Sequence, residues 1–167
     1  MSVECANSVA KNLCTAWLAC GLFICTIILG IMPNVIADGA PLVAPMGASV
    51  MLMLLSATSA FARPRSVVLA NFLATAIGLV VTHVFPSLLM ASAAAVALTI
   101  GAMGAFRAIH PPSAGIALFA VSQGAHTASD GFALLFGGVM TRTAVILILV
   151  IGLNRLGDVI WKWQSKV

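Results

Sequence analysis

One arginine stands inside a long apolar run. Arg142 lies near the centre of Phe132–Leu153, about 15 Å of helix from either end. That is too deep for the side chain to snorkel to a head-group layer. A charge so placed costs about 3 kcal/mol on insertion scales, so it should face the interior of a bundle. The four acidic residues, Glu4, Asp38, Asp130 and Asp158, all fall outside the apolar runs, so the sequence offers no carboxylate at that depth. Two roles are open to Arg142. A guanidinium without a carboxylate suits a small anion. A guanidinium beside an interrupted helix suits the backbone carbonyls freed there.

A second candidate site is Ile109-His110-Pro111-Pro112-Ser113-Ala114-Gly115. Tandem proline fits at the start of a helix, where the missing N–H groups have no partner to lose. The helix that follows is expected to present free amides from Ser113, Ala114 and Gly115, a place where anions are stabilised. His110 stands just before it and can donate a hydrogen bond or change charge near neutral pH. The plainer alternative is a helix start at which His110 only caps or packs. A related stretch, Ala44-Pro45-Met46-Gly47-Ala48-Ser49, is again expected to be a proline-led start. Its small residues would let a ligand approach the backbone. Ser49 and Ser113 would be neutral donors. His83, His126 and Asp130 fall near one surface and are expected to be solvated.

Little else in the chain could do chemistry. The four cysteines, Cys5, Cys14, Cys20 and Cys25, crowd into the first segment at spacings that match no metal or redox motif. The apolar segments hold no acid–base pair, metal-ligand cluster or activated nucleophile, so an enzyme is disfavoured and no metal or cofactor is expected.

These residues must be positioned by membrane helices. Apolar residues make up 62% of the 167 and charged residues only 7%, against about a quarter charged in soluble domains. Six apolar segments follow one another: Leu13–Ile36, Leu42–Phe61, Ser66–Phe85, Ser87–Phe106, Pro111–Ser122 and Phe132–Leu153. Five approach the twenty or so residues that span a bilayer, and the fifth segment is short. The first is too long for the h-region of a signal peptide. The fold class expected is an all-α membrane protein, with 1–167 as one transmembrane domain.

Charge gives an independent test of six crossings. With the N-terminus in the cytoplasm, one side carries Lys11, Arg63, Arg65, Arg107, Arg155, Lys162 and Lys166, and the other has no Lys or Arg at all. That is the positive-inside pattern, with both termini cytoplasmic. Trp17, Trp161 and Trp163 fall at the same interface. The basic tail, 154–167, reads as an interfacial helix lying on anionic lipid. The net charge of +4 is thus a matter of topology, and no nucleic-acid surface is implied. Small residues recur every four positions, as Ala93, Ala97, Gly101 and Ala105 and as Ala70, Ala74 and Gly78. That spacing predicts close packing of segments three and four. Six short helices make a thin bundle, so a homo-oligomer is expected.

A shift of 66 residues lays Pro45-Met46-Gly47-Ala48 over Pro111-Pro112-Ser113-Ala114 and pairs Leu52 with Leu118, Ser56 with Ser122, and Thr75 with Thr141. It also lays segments one to three (13–85) over four to six (87–153). In so Ala- and Leu-rich a chain, coincidence is the alternative; a real repeat of three crossings per copy is inverted, a recurrent transporter design with interrupted helices at the interface between copies.

The blocks His110-Pro111-Pro112-Ser113-Ala114-Gly115, Pro41-Leu42-Val43-Ala44-Pro45-Met46-Gly47-Ala48-Ser49 and Arg63-Pro64-Arg65 occur in this order. With them the chain resembles the HPP family of integral membrane proteins. The resemblance implies a membrane transporter, and some family members are linked to nitrite transport. It covers most of the chain. The family is often described with four spanning helices, from which six segments depart. Plant members carry a transit segment and some bacterial members a C-terminal regulatory domain. Neither is seen here, so a stand-alone form in a bacterial inner membrane is expected. The expected function is transport of a small monovalent anion, most simply nitrite, held by Arg142, His110 and the start of segment five. A membrane scaffold without transport is the alternative.

Overall fold

The computed structural model describes residues 8–32, 40–124 and 127–164, and among these there is no strand. The helices are α1 (Ser8–Ile31), α2 (Ala40–Leu55), α3 (Pro64–Val84), α4 (Leu88–Ala105), α5 (Ser113–Gln123), α6 (Ala128–Phe132) and α7 (Thr141–Gln164). A 3₁₀ turn, Ala60–Ala62, precedes α3, and a π-helical stretch, Ala133–Met140, joins α6 to α7 in one rod. Each expected apolar segment contributes a helix, although α2 ends at Leu55, short of Phe61, and the chain is an all-α membrane protein. Among the described residues, three stretches are long and apolar enough to cross a membrane, namely Pro64–Val84, Leu88–Ala105 and Ala128–Asp158. Helix α5 has 11 residues and so measures about 16 Å, half of a hydrocarbon core of about 30 Å.

Local chemistry sets the helix ends. Pro64 opens α3 at a position where its missing N–H costs nothing. Ser87 caps α4 by accepting from the amide of Met90 at 3.2 Å. Thr127 and Asp130 form a capping box at α6, each side chain accepting from the other's amide at 3.2 Å. Asp130 therefore has a structural task at this surface. His83 is exposed, with Nδ1 2.8 Å from the carbonyl of Leu79.

Three expectations are corrected. Pro45 does not lead segment two: α2 begins at Ala40, and Pro45 sits inside it. A proline in the second turn deprives the carbonyl of Pro41 of its helical donor, and sequence alone does not separate this from a proline at the start. The tail after Leu153 is not a separate element, because α7 continues unbroken to Gln164. No proline falls between these positions to stop it, and Asn154 Nδ2 ties it to the carbonyl of Met53 at 3.4 Å. Finally, Ala93, Ala97, Gly101 and Ala105 face outward, while α4 packs through Ala91, Ala95, Thr99 and Met103. Both rows have four-residue spacing, and they lie on nearly opposite faces of the helix. The expectations for Cys5, Asp38, His126 and Lys166, and for the side chains of Lys11, Cys14, Trp161, Lys162 and Trp163, lie outside the described residues. Cys20 is an exposed free thiol and Cys25 a buried one.

Helix α3 is the hub. Ala70, Asn71, Ala74 and Thr75 on one face are fully buried. Gly78 continues that face against α5, where a Cβ would come within 2.7 Å of the Ala117 carbonyl oxygen. The outer surface is apolar, with Phe23, Val80, Leu89, Phe132 and Ile148 all exposed, as suits a lipid solvent. The packing has a two-fold pattern. Helix α1 packs on α2 as α4 does on α5; α2 packs on α7 as α5 does on α3; and α1 packs on α7 as α4 does on α3. Helix α2 meets α5, and α3 meets the π-helical stretch and α7. Exchanging α1 with α4, α2 with α5 and α3 with the last rod maps each of these contacts onto another or onto itself. The same exchange of helices is the one a 66-residue register would make.

Candidate functional site

The two proline-containing stretches meet where α2 crosses α5. A Cβ on Gly115 would lie 3.0 Å from Cβ of Pro45, so Gly115 serves helix contact. Nothing lies within 4 Å of a Cβ built on Gly47, which is half-buried. Ala48 faces outward, Ala114 and Pro112 are half-buried, and Pro111 is exposed.

His110 is carried inward by the turn that ends α4. Arg107 adopts φ 51°, and the amide of Ala108 returns to the carbonyl of Met103 at 2.9 Å. This is a Schellman motif with arginine where glycine is usual, at a cost of about 1–2 kcal/mol in backbone strain. The turn leaves His110 fully buried, its amide 3.5 Å from the sulfur of Met103. Its ring lies between two elements: Nδ1 is 2.8 Å from the carbonyl of Phe61, and Nε2 is 3.0 Å from Oγ of Ser49. Ser49, also fully buried, can donate to the Pro45 carbonyl at 3.0 Å.

The free amides expected at the start of α5 are not free. Those of Ser113, Ala114 and Gly115 donate to the carbonyls of His110, Pro111 and Pro112 at 3.0, 3.1 and 3.0 Å. The prolines wind the chain into tight three-residue turns ahead of the helix, and these consume the donors. The hydroxyl of Ser113 turns inward instead and donates to Oδ1 of Asn71 at 2.5 Å. Asn71 Nδ2 donates to Thr143 Oγ1 at 2.9 Å, and Thr143 donates to the Val139 carbonyl at 2.8 Å. Thr75 donates to the carbonyl of Asn71 at 2.8 Å. The chain Ser113–Asn71–Thr143 thus ties together α5, α3 and α7, with all three side chains buried. Sequence reasoning passed over Asn71, Thr75 and Thr143. An amide inside a membrane-length apolar helix was a signal for Asn71 of the same kind as the one that singled out Arg142; the hydroxyls of Thr75 and Thr143 gave none.

Arg142 is buried, at 3% exposure. Nη1 donates to the carbonyl of Gly138 at 3.3 Å and Nη2 to that of Met32 at 3.1 Å. Met32 follows the last residue of α1, and Gly138 lies in the π-helical stretch, so the fork joins the end of one helix to an irregular part of another. The carbonyl-binding role raised from sequence is therefore present. The π-helical stretch was not expected; such stretches concentrate at functional sites, and here Thr141 Oγ1 bonds the carbonyl five residues back, Phe136, at 2.7 Å.

These groups make up a polar seam of three hydrogen-bonded sets within an apolar bundle: the Phe61 carbonyl, His110 and Ser49; Ser113, Asn71 and Thr143; and Arg142 with the Gly138 and Met32 carbonyls. The first set joins the second through the Ser113 amide on the His110 carbonyl, and the second adjoins the third because Thr143 and Arg142 are neighbours in α7. The structure brings His110, Ser49, Ser113 and Arg142 into this seam; Gly47 and Ala48 make no bond to it. A family model described as "HPP, transmembrane region" matches residues 8–161. No curated protein and no solved structure matches the chain. With nearly its whole length matched and the family's His-Pro-Pro block placed at the seam, the chain belongs to the HPP transmembrane family.

Proposed function

We propose that this protein transports a small monovalent anion, nitrite being the first candidate, along the polar seam. The observation that carries the reading is the seam itself. Buried polar side chains are costly inside a membrane bundle and mark substrate pathways, and these lie where two related halves meet. Arg142 supplies positive charge toward the end of α1, while Ser49, Ser113, Asn71 and Thr143 supply neutral polar groups. On the charge pattern, the Arg63–Arg65 and Arg107 loops face the cytoplasm of a bacterial inner membrane, and both termini do as well. The protein acts as a homo-oligomer in the bilayer and needs no cofactor. A scaffold without transport is the rival reading, favoured by the carbonyl bonds of Arg142.

The test is uptake of nitrite, formate and chloride into liposomes bearing the purified protein. Arg142→Lys keeps the charge and loses the planar fork, so uptake should weaken. Arg142→Gln should remove most uptake. Nitrite should raise the melting temperature of the wild type by mass action and leave that of Arg142→Gln unmoved. Normal uptake and normal nitrite stabilisation in Arg142→Gln would remove Arg142 from the site.

A further inference from the structure

His110 and Ser49 share one hydroxyl proton between two acceptors. The Phe61 carbonyl can only accept, so Nδ1 of His110 carries its proton in every state of the ring. The nitrogen that gains or loses a proton is therefore Nε2, whose partner is the Ser49 hydroxyl at 3.0 Å. With His110 neutral, that hydroxyl donates to Nε2. With His110 protonated, Nε2–H donates to Oγ, and the Ser49 proton turns to the Pro45 carbonyl at 3.0 Å. A single hydroxyl rotation satisfies both states, and an imidazole held between a carbonyl acceptor and a hydroxyl that can either donate or accept can load and unload a proton without breaking the fold. Ser49 belongs to the first half of the chain and His110 to the second, so the proton sits between the two halves, beside the Pro45–Gly115 crossing.

The charge balance around the ring says what must accompany that proton. His110 is packed by α2, the 3₁₀ turn, the end of α4 and the start of α5, with α3 beginning beside the turn. None of these elements contains Asp or Glu. The charged groups on or next to these elements are Arg63, Arg65 and Arg107, all exposed. Among the described residues, a buried imidazolium therefore has no carboxylate on any adjoining element, and a charge left unneutralised in a low-dielectric interior is expensive. A mobile anion supplies the missing charge.

Building on the transport reading, we infer that His110 binds a proton together with the anion, so that transport is electroneutral anion–proton symport. Proton and anion then favour each other's binding, because each relieves the other's uncompensated charge.

The experiment uses the full chain in liposomes enclosing a pH-sensitive dye. An inward nitrite gradient is applied at a pH well above that at which nitrous acid itself crosses lipid, with protein-free liposomes as the blank. A potassium gradient with valinomycin sets the membrane potential. The expected result is internal acidification in step with nitrite entry, at a rate that potential does not change. In His110→Gln, which keeps hydrogen-bonding capacity and cannot titrate, acidification should vanish and any residual nitrite entry should follow the potential. Potential-driven nitrite entry without acidification in the wild type overturns the inference and leaves the transport reading intact. Acidification retained in His110→Gln also overturns it. Absence of nitrite entry in the wild type overturns transport and symport together. The wild-type measurement decides the matter even if His110→Gln does not fold.

Discussion

Gly78 and Gly101 form a matched pair of perturbations. Both lie within helices, in α3 and α4. A Cβ on Gly78 would stand 2.7 Å from the carbonyl oxygen of Ala117 and 2.7 Å from Cβ of Ala120, whereas one on Gly101 meets nothing within 4 Å. Glycine inside a helix costs about 1 kcal/mol relative to alanine, so Gly101→Ala should stabilise by up to that amount. The same gain is available at Gly78, but the new methyl has to reach ordinary contact distance, and α3 and α5 must part by roughly 1 Å. Both obstacles are main chain or β-carbon, and neither is the flexible end of a side chain. Overpacking of this kind costs about 1–3 kcal/mol, so the two variants should differ in stability by about that much, with Gly78→Ala the weaker. Parting α3 from α5 also stretches the Ser113–Asn71 bond, so nitrite uptake should fall in Gly78→Ala alone. Thermal unfolding in one detergent, followed by tryptophan fluorescence, reads the difference. Equal melting temperatures in the two variants, or a higher one for Gly78→Ala, would refute the close α3–α5 contact.

Two further outcomes can be checked with simple variants. Asn71→Leu removes both side-chain bonds that link α5 and α7 to α3; hydrogen bonds in membrane bundles average about 0.6 kcal/mol each. The variant should lose about 1–2 kcal/mol in a detergent unfolding titration, and a variant as stable as wild type would show that the Ser113–Asn71–Thr143 chain contributes nothing. In a background without native cysteines, a cysteine at position 130 should react with an impermeant reagent added outside cells and one at position 64 should not. The reverse labelling would overturn the proposed orientation.

The sequence by itself determined the solvent. So apolar a chain, with its few charges sorted to the segment ends, has no fold in water, and segment lengths then restrict it to helices, because a bilayer satisfies no stray backbone group. It also marked Arg142 and His110, because a charged or titratable residue at such a place must find a partner, whether an anion or the backbone. The helix packing has a two-fold pattern compatible with the 66-residue register. What composition and spacing left open is how each side chain is oriented and what it bonds. Two rows of small residues on α4 have the same period, and only packing decided that Ala91 and Ala95 point inward. The prolines before α5 announced a helix start, yet whether its amides stay free depends on how tightly the preceding turns wind, which is a matter of backbone geometry. Asn71 and Thr143 are separated by 72 positions, and Ser113 reaches Asn71 across 42. No local pattern encodes such pairs. They exist because helices far apart in the chain are brought side by side, and a buried polar group must then find its partner on whichever helix lies next to it.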